Sequence, residues 1–320
     1  MYLGIDLGTS AVKAVVVDEN DRVVATTTAP LAVSRPQPLW SEQDPEAWWH
    51  ATSVAVGQLH RQVNLADIAG VGLSGQMHGA TLLDASDRPL RPAILWNDGR
   101  SASACAEFEA RAPKLRAISG NLAMPGFTAP KLLWVREHEP AVFSRVRYVL
   151  LPNDYLRLRM TGEHASDCAD ASGTLWLDVA RRDWSETLLA ACDLSRDAMP
   201  ALYEGSAQTG RLREDVASDW GMARVPVAAG GGDQAAGAVG VGVIEPGDAS
   251  LALGTSGVLF VAGDQFRPFP ERAVHAFCHA LPGRWHQMSV ILSAASCLAW
   301  VTRLTGAPNE GALLDEIEAE

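Results

Sequence analysis

The four letters LGTS occur twice, at Leu7–Ser10 and at Leu253–Ser256, each time between two β-rich apolar runs. Gly, Thr and Ser between such runs read as the turn of a strand–turn–strand hairpin. Around the first copy, "YLGID", "AVKAVVVDE" and "RVVATTTAPL" read as an antiparallel meander broken at LGTS and NDR. A helix follows in "DPEAWWHATSVAVGQLHRQV", with Asp44 as N-cap and Pro45 at the first helical position. After Pro246 the pattern restarts. "ASLAL", "GVLFVAG", "AVHAFCHAL" and "WHQMSVIL" are strand-like, and "SAASCLAWVTRLTG" is helical. A meander followed by a helix thus opens both halves. That doubling predicts two related α/β domains facing each other across a cleft. The boundary is expected at Glu245-Pro246-Gly247, with residues 1–245 a complete first domain and 246–320 the start of a second, incomplete one.

Between the meanders, "IAGVGLSGQ" reads as a buried strand, Ser101 to Thr161 as mostly helical, and "RVPVAAGGGDQAAGAVGVGVI" as strand, glycine turn and helix. The hydrophobic share of 48% and charged share of 20% are those of a soluble globular protein. A formal net charge of -12 argues against nucleic acid or an anionic membrane as the main partner. It leaves room for a nucleotide, whose phosphates can be held by backbone N–H groups and a metal ion. The five cysteines are odd in number and show no zinc or redox spacing, which fits a reducing cytosol. The start lacks the basic region of a signal peptide, and the apolar stretch "SVILSAASCLAWV" is too short to span a bilayer.

Three stretches can carry chemistry. A Gly-Thr-Ser hairpin tip offers N–H groups and hydroxyls to phosphate oxygens, which makes Gly8, Thr9 and Ser10 one candidate grip and Gly254 and Thr255 another. For a single copy a plain turn is the better reading, and two copies in matching context favour paired grips. Asp6 precedes the first tip, and a carboxylate beside phosphates implies a divalent cation, so Asp6 is the metal-side candidate. Ala252 takes its place in the second copy. Period-two alternation puts Lys13 on the face of Thr9, within reach of phosphate, although a solvated lysine reads equally well. In "GGGDQAAGAVG", Asp233 opens a helix whose dipole is expected to keep it ionised, ready to take a proton from a substrate hydroxyl; a simple N-cap is the rival reading. In "GQMHG", donor-rich side chains end a strand, where α/β sites gather, while a lone histidine is more often structural. Histidine spacing gives no sign of zinc.

Taken together, "IDLGTSAVKAVVVD", "GQMHGATLLD", "PAILWNDGR", "GFTAPKLLWVREH", "GGGDQAAGAVG" and "LGTSGV" resemble the FGGY carbohydrate kinases. "SRPQPLWSEQDPEAWW" and "QMHGATLL" are similar to members that act on D-xylulose rather than on glycerol or ribulose. The resemblance covers essentially the whole chain. It implies an actin/hexokinase-like fold, that is, two ribonuclease-H-like domains with the second truncated here. It also implies transfer of phosphate from ATP, with Mg2+, to the O5 hydroxyl of D-xylulose. Asp233 matches the catalytic base and Asp6 the carboxylate near the metal. Met77 and His78, with Asp233 and Gln234, match the sugar contacts, and the two LGTS turns match the phosphate hairpins. The partners implied are a ketose and ATP, in the cytoplasm, with a homodimer as the assembly entertained. Competing readings are a non-catalytic sugar-binding remnant and a kinase for another ketopentose or polyol. A sugar-responsive regulator would need a helix-turn-helix or a basic patch, and neither is visible.

Overall fold

The computed structural model describes residues 1–254 and 256–318. Strands β1 (Tyr2–Leu7), β2 (Ala11–Val17) and β3 (Val23–Pro30) form the antiparallel meander read from the sequence. Successive side chains point to opposite faces, so Leu3, Ile5 and Leu7 on β1 share one buried face with Val12, Ala14 and Val16 on β2. Helix α1 (Pro45–Leu59) packs against β2 and β3. It begins where expected: the Asp44 carboxylate accepts the N–H of Glu46 at 3.0 Å. Proline at the first position sacrifices no hydrogen bond, because that N–H has no partner within the helix.

Strand β4 (Val71–Gly75) pairs parallel to β1. The chain then runs through α2 (Thr128–His138), α3 (Pro152–Thr161) and α4 (Cys168–Ser172). It returns to the sheet as β5 (Gln208–Arg211), β6 (Pro226–Ala228) and β7 (Gly231–Gly232), and leaves through α5 (Asp233–Gly240). The strand order is β5-β6-β4-β1-β2-β3, with β7 also paired to β4. β1, β4 and β7 run parallel, with Leu7 beside Gly75 and Gly75 beside Gly232. Their carboxyl ends therefore meet at one edge, where open α/β sheets place their ligands.

A second sheet holds β8 (Ala249–Leu253), β9 (Gly257–Gly263), β10 (His275–Cys278) and β11 (Trp285–Ile291). Its order is β8-β9-β11-β10, so the third strand of this meander is taken out of chain sequence. Helices α6 (Ala295–Thr305) and α7 (Glu310–Glu318) follow. β10 and β11 share a core with the preceding residues: Phe277, Cys278 and Met288 cluster with Phe127, Leu133 and Trp176. The Asn121 side chain adds two bonds to Ala276, donating to its carbonyl at 3.0 Å and accepting its N–H at 3.2 Å. Among the described residues no helix is long and apolar enough to cross a membrane.

Candidate active site

The meeting edge of β1, β4 and β7 collects most of the residues singled out in the sequence. Asp6, half-buried near the end of β1, accepts the hydroxyl of Ser74 from β4 at 3.0 Å. In the same register Asp6 lies opposite Lys13 on β2, and Lys13 is exposed. The expected pairing of Lys13 with the face of Thr9 is corrected here. Thr9 sits in the turn, outside both strands, so alternation does not extend to it, and the cross-strand neighbour of Lys13 is the Asp6 carboxylate.

The first LGTS turn is tied inward more than a bare phosphate grip would be. The Gly8 N–H closes the turn on the Ala11 carbonyl at 3.0 Å. The Thr9 hydroxyl accepts the indole N–H of Trp96 at 3.0 Å and donates to Gln76 Oε1 at 3.0 Å. Gln76 in turn donates to Gln43 Oε1 at 3.0 Å, and Gln43 donates back to the Thr9 carbonyl at 2.7 Å. Buried amides must find partners, and the turn supplies them. In this structure the Gly8 N–H and the Thr9 hydroxyl are thus engaged within the protein. Within the described residues the N–H groups of Thr9 and Ser10 make no hydrogen bond, and Ser10 is exposed, so these remain for a ligand.

At the second turn the Gly254 N–H closes on the Ser256 carbonyl at 2.9 Å, and the Gly254 carbonyl accepts the N–H of Ala295, the first residue of α6, at 2.9 Å. Thr255 lies outside the described residues.

Asp233 opens α5 as read, with the Gln234 N–H donating to its carboxylate at 2.7 Å. Burial, with the nearby charge of Asp6, pushes the carboxyl up to about 6, and the Gln234 N–H only partly offsets them. The Asp233 carboxyl is thus held above the ordinary carboxylate range. Beneath the glycine turn lies a buried acid cluster. Arg157 bonds Asp154 at 2.7 Å, and Asp167 caps α4 by accepting the Asp170 N–H at 2.8 Å. Asp170, shielded from water and facing the charges of Asp167, Asp154 and Asp233, is raised well above the usual carboxylate range.

Met77 is buried against Gly232, where a Cβ would come within 2.6 Å of Met77 Cγ. The glycine run is therefore a packed joint with no room for side chains. His78 follows with a left-handed backbone, φ 67. Its Nδ1 lies 2.8 Å from the Gly173 carbonyl, and its ring meets Phe127 edge-on at 4.7 Å. Burial and the Lys131 ammonium hold the imidazole neutral, its pKa lowered to about 3. The second sheet reaches this ring too, since Phe277 of β10 lies 6.4 Å from it.

Sequence reading did not single out Ser74, Gln43, Trp96, Lys131 or Asp170. Of these only Lys131 carried a local signal, a lone cation inside the apolar run "APKLLWV". The others acquire meaning only from partners far along the chain.

Comparison with known proteins agrees with the geometry. A model described as "FGGY family of carbohydrate kinases, N-terminal domain" matches residues 1–240. The chain is 64% identical over 314 residues to the xylulose kinase of Escherichia coli K12, covering 98% of this chain and 65% of that relative. A crystal structure described as a "xyloylose kinase" from Brucella ovis superposes with a TM-score of 0.95 at 55% identity, over 98% of this chain and 65% of that one. The xylulose kinase of Rhodospirillum rubrum gives 0.92 at 28% identity, with the same coverage. These likenesses establish the actin/hexokinase-like α/β fold. The chain spans 65% of the length of the E. coli and Klebsiella pneumoniae relatives.

Proposed function

Because the chain belongs to the FGGY family of carbohydrate kinases, we propose that it serves the phosphorylation of a ketose by ATP, with D-xylulose as substrate and D-xylulose 5-phosphate as product. The observation that carries this reading is the Asp233 carboxyl at the start of α5, raised to about 6 by burial and the charge of Asp6, directly after Gly232, which packs on Met77. Asp233 takes the proton of the sugar hydroxyl as its oxygen attacks the terminal phosphorus of ATP. The bond from that phosphorus to the bridging oxygen breaks, and ADP leaves with the electron pair. Positioning and electrostatics supply most of the acceleration in phosphoryl transfer, so a base near 6 suffices. His78 and Met77 hold the ketose, with the Gln234 backbone setting the Asp233 carboxylate. Thr9 and Ser10 N–H groups, Ser10 Oγ and Lys13 face the phosphates, and Gly254 and Thr255 offer a second grip.

Asp6 fits magnesium, a hard cation that takes oxygen ligands and usually binds through one or two carboxylates plus substrate phosphates. Among the described residues no three His, Cys, Asp or Glu side chains gather as a metal cage. When bound, magnesium would neutralise phosphate charge that Asp6 and Asp233 otherwise repel. In this reading the first domain ends and the second begins at Glu245–Gly247. A cytosolic setting suits the five free thiols, and a homodimer is the assembly to test by sedimentation.

The test is a coupled ADP-release assay with D-xylulose, D-ribulose and glycerol. Turnover highest with D-xylulose supports the reading. A higher rate with another sugar moves the substrate, and no sugar-dependent ADP release with saturable D-xylulose binding favours a non-catalytic binding role.

A further inference from the structure

Lys131 of α2 has no exposure to solvent. A buried ammonium is costly unless paired, and its usual partner is a carboxylate. Lys131 instead donates to two carbonyl oxygens, those of His78 at 2.8 Å and Gly126 at 2.7 Å. The Thr128 hydroxyl, one turn earlier on the same helix, donates to the same His78 carbonyl at 3.1 Å. Asp98, the acid whose charge acts on Lys131, is already engaged by two bonds from the Arg100 side chain, at 2.9 and 2.7 Å, and by the Ser41 N–H.

The carbonyl so held belongs to a non-glycine residue at φ 67, a conformation that persists only when its surroundings enforce it. On the other side the ring has no freedom either. A Cβ at Gly173 would stand 2.4 Å from His78 Nδ1, and Phe127 closes the ring edge. A neutral imidazole whose Nδ1–H donates to the Gly173 carbonyl leaves Nε2 as a hydrogen-bond acceptor, the complement of a sugar hydroxyl.

We propose that Lys131 is a positioning residue of the ketose site: its ammonium, with the Thr128 hydroxyl, clamps the His78 carbonyl and so fixes the strained turn that presents His78 Nε2 to the sugar. This rests on the reading that His78 contacts the ketose. The helix α2 thereby acts on the substrate without touching it. Burial draws the Lys131 ammonium down to about 7, so the clamp weakens from a charge-assisted to a neutral hydrogen bond as pH rises through neutrality. The charged groups facing it are Asp98 and Arg100, while His78 itself stays uncharged.

The test is calorimetric titration of D-xylulose and of a non-hydrolysable ATP analogue into wild type, Lys131→Met, Thr128→Val and His78→Ala, each checked for a cooperative melt. Lys131→Met should weaken D-xylulose about tenfold, Thr128→Val less, and neither should change nucleotide affinity. Wild-type affinity for D-xylulose should fall as pH rises from about 6.5 to 8.5, and this slope should vanish in Lys131→Met. Thr128→Val removes only one donor to the same carbonyl and disturbs the fold least: sugar affinity unchanged in both Thr128→Val and Lys131→Met overturns the clamp. Sugar affinity lost in His78→Ala but kept in Lys131→Met also overturns it, and leaves the ketose reading standing. Unchanged affinity in His78→Ala removes His78 from the sugar site and overturns both.

Discussion

The two LGTS turns share four letters and each joins two antiparallel strands, yet they sit in opposite surroundings. Leu7 of the first is 0% exposed, whereas Leu253 of the second is 69% exposed. Before the first stands Asp6, bonded to Ser74, and before the second stands Ala252 on a strand with three exposed neighbours. The first turn is laced to Gln43, Gln76 and Trp96, while among the described residues of the second the Gly254 carbonyl accepts the N–H of Ala295 at the start of α6. A repeated motif therefore specifies a turn, and the segments around it decide how firmly that turn is tied into the described fold.

The sharpest break in this contrast is expected from equivalent leucines. Leu7→Ala should cost about 2–5 kcal/mol of stability by leaving a cavity, and Leu253→Ala should stay within about 0.5 kcal/mol. Denaturant melts check this, and equal losses would mean that both turns are equally built in. A smaller effect is expected from Thr9→Val, which strips the buried Gln76 oxygen and the Trp96 N–H of a partner, at about 1–3 kcal/mol. Ser256→Ala, at the corresponding turn, should be nearly silent in the same melts. The smallest effect concerns charge. Ketose phosphorylation should rise with pH as Asp233 loses its proton near 6. Because the negative charge of Asp6 raises that value, Asp6→Asn should move the inflection of kcat/KM to lower pH and raise the magnesium requirement. An inflection that stays in place, or moves upward, would separate the two carboxylates.

What was legible in the sequence was local. Alternation gave β1 and β2, and Asp44-Pro45 marked the start of α1. The glycine run ahead of Asp233 announced a packed strand-to-helix joint, since a linker would have been more polar. What was illegible depends on distance along the chain. The Thr9 hydroxyl meets a glutamine 67 residues away and a tryptophan 87 away. Lys131 reaches a carbonyl 53 residues upstream. β9 pairs with β11 out of chain order, while β10 binds Asn121, 155 residues away, and no alternation pattern encodes either. Burial was the other missing quantity. A helix start suggests a stabilised carboxylate, and only the three-dimensional setting shows that desolvation and Asp6 outweigh it at Asp233.

The role of Asp233 can be isolated by measuring D-xylulose binding and ketose-dependent ADP release side by side in Asp233→Asn. The substitution keeps the shape of the side chain and removes its ability to accept a proton. Sugar affinity should hold while the rate of ADP release falls by about 10²–10⁴. A rate within about tenfold of wild type, with sugar still bound, would contradict Asp233 as the base and return it to the plain N-cap of α5.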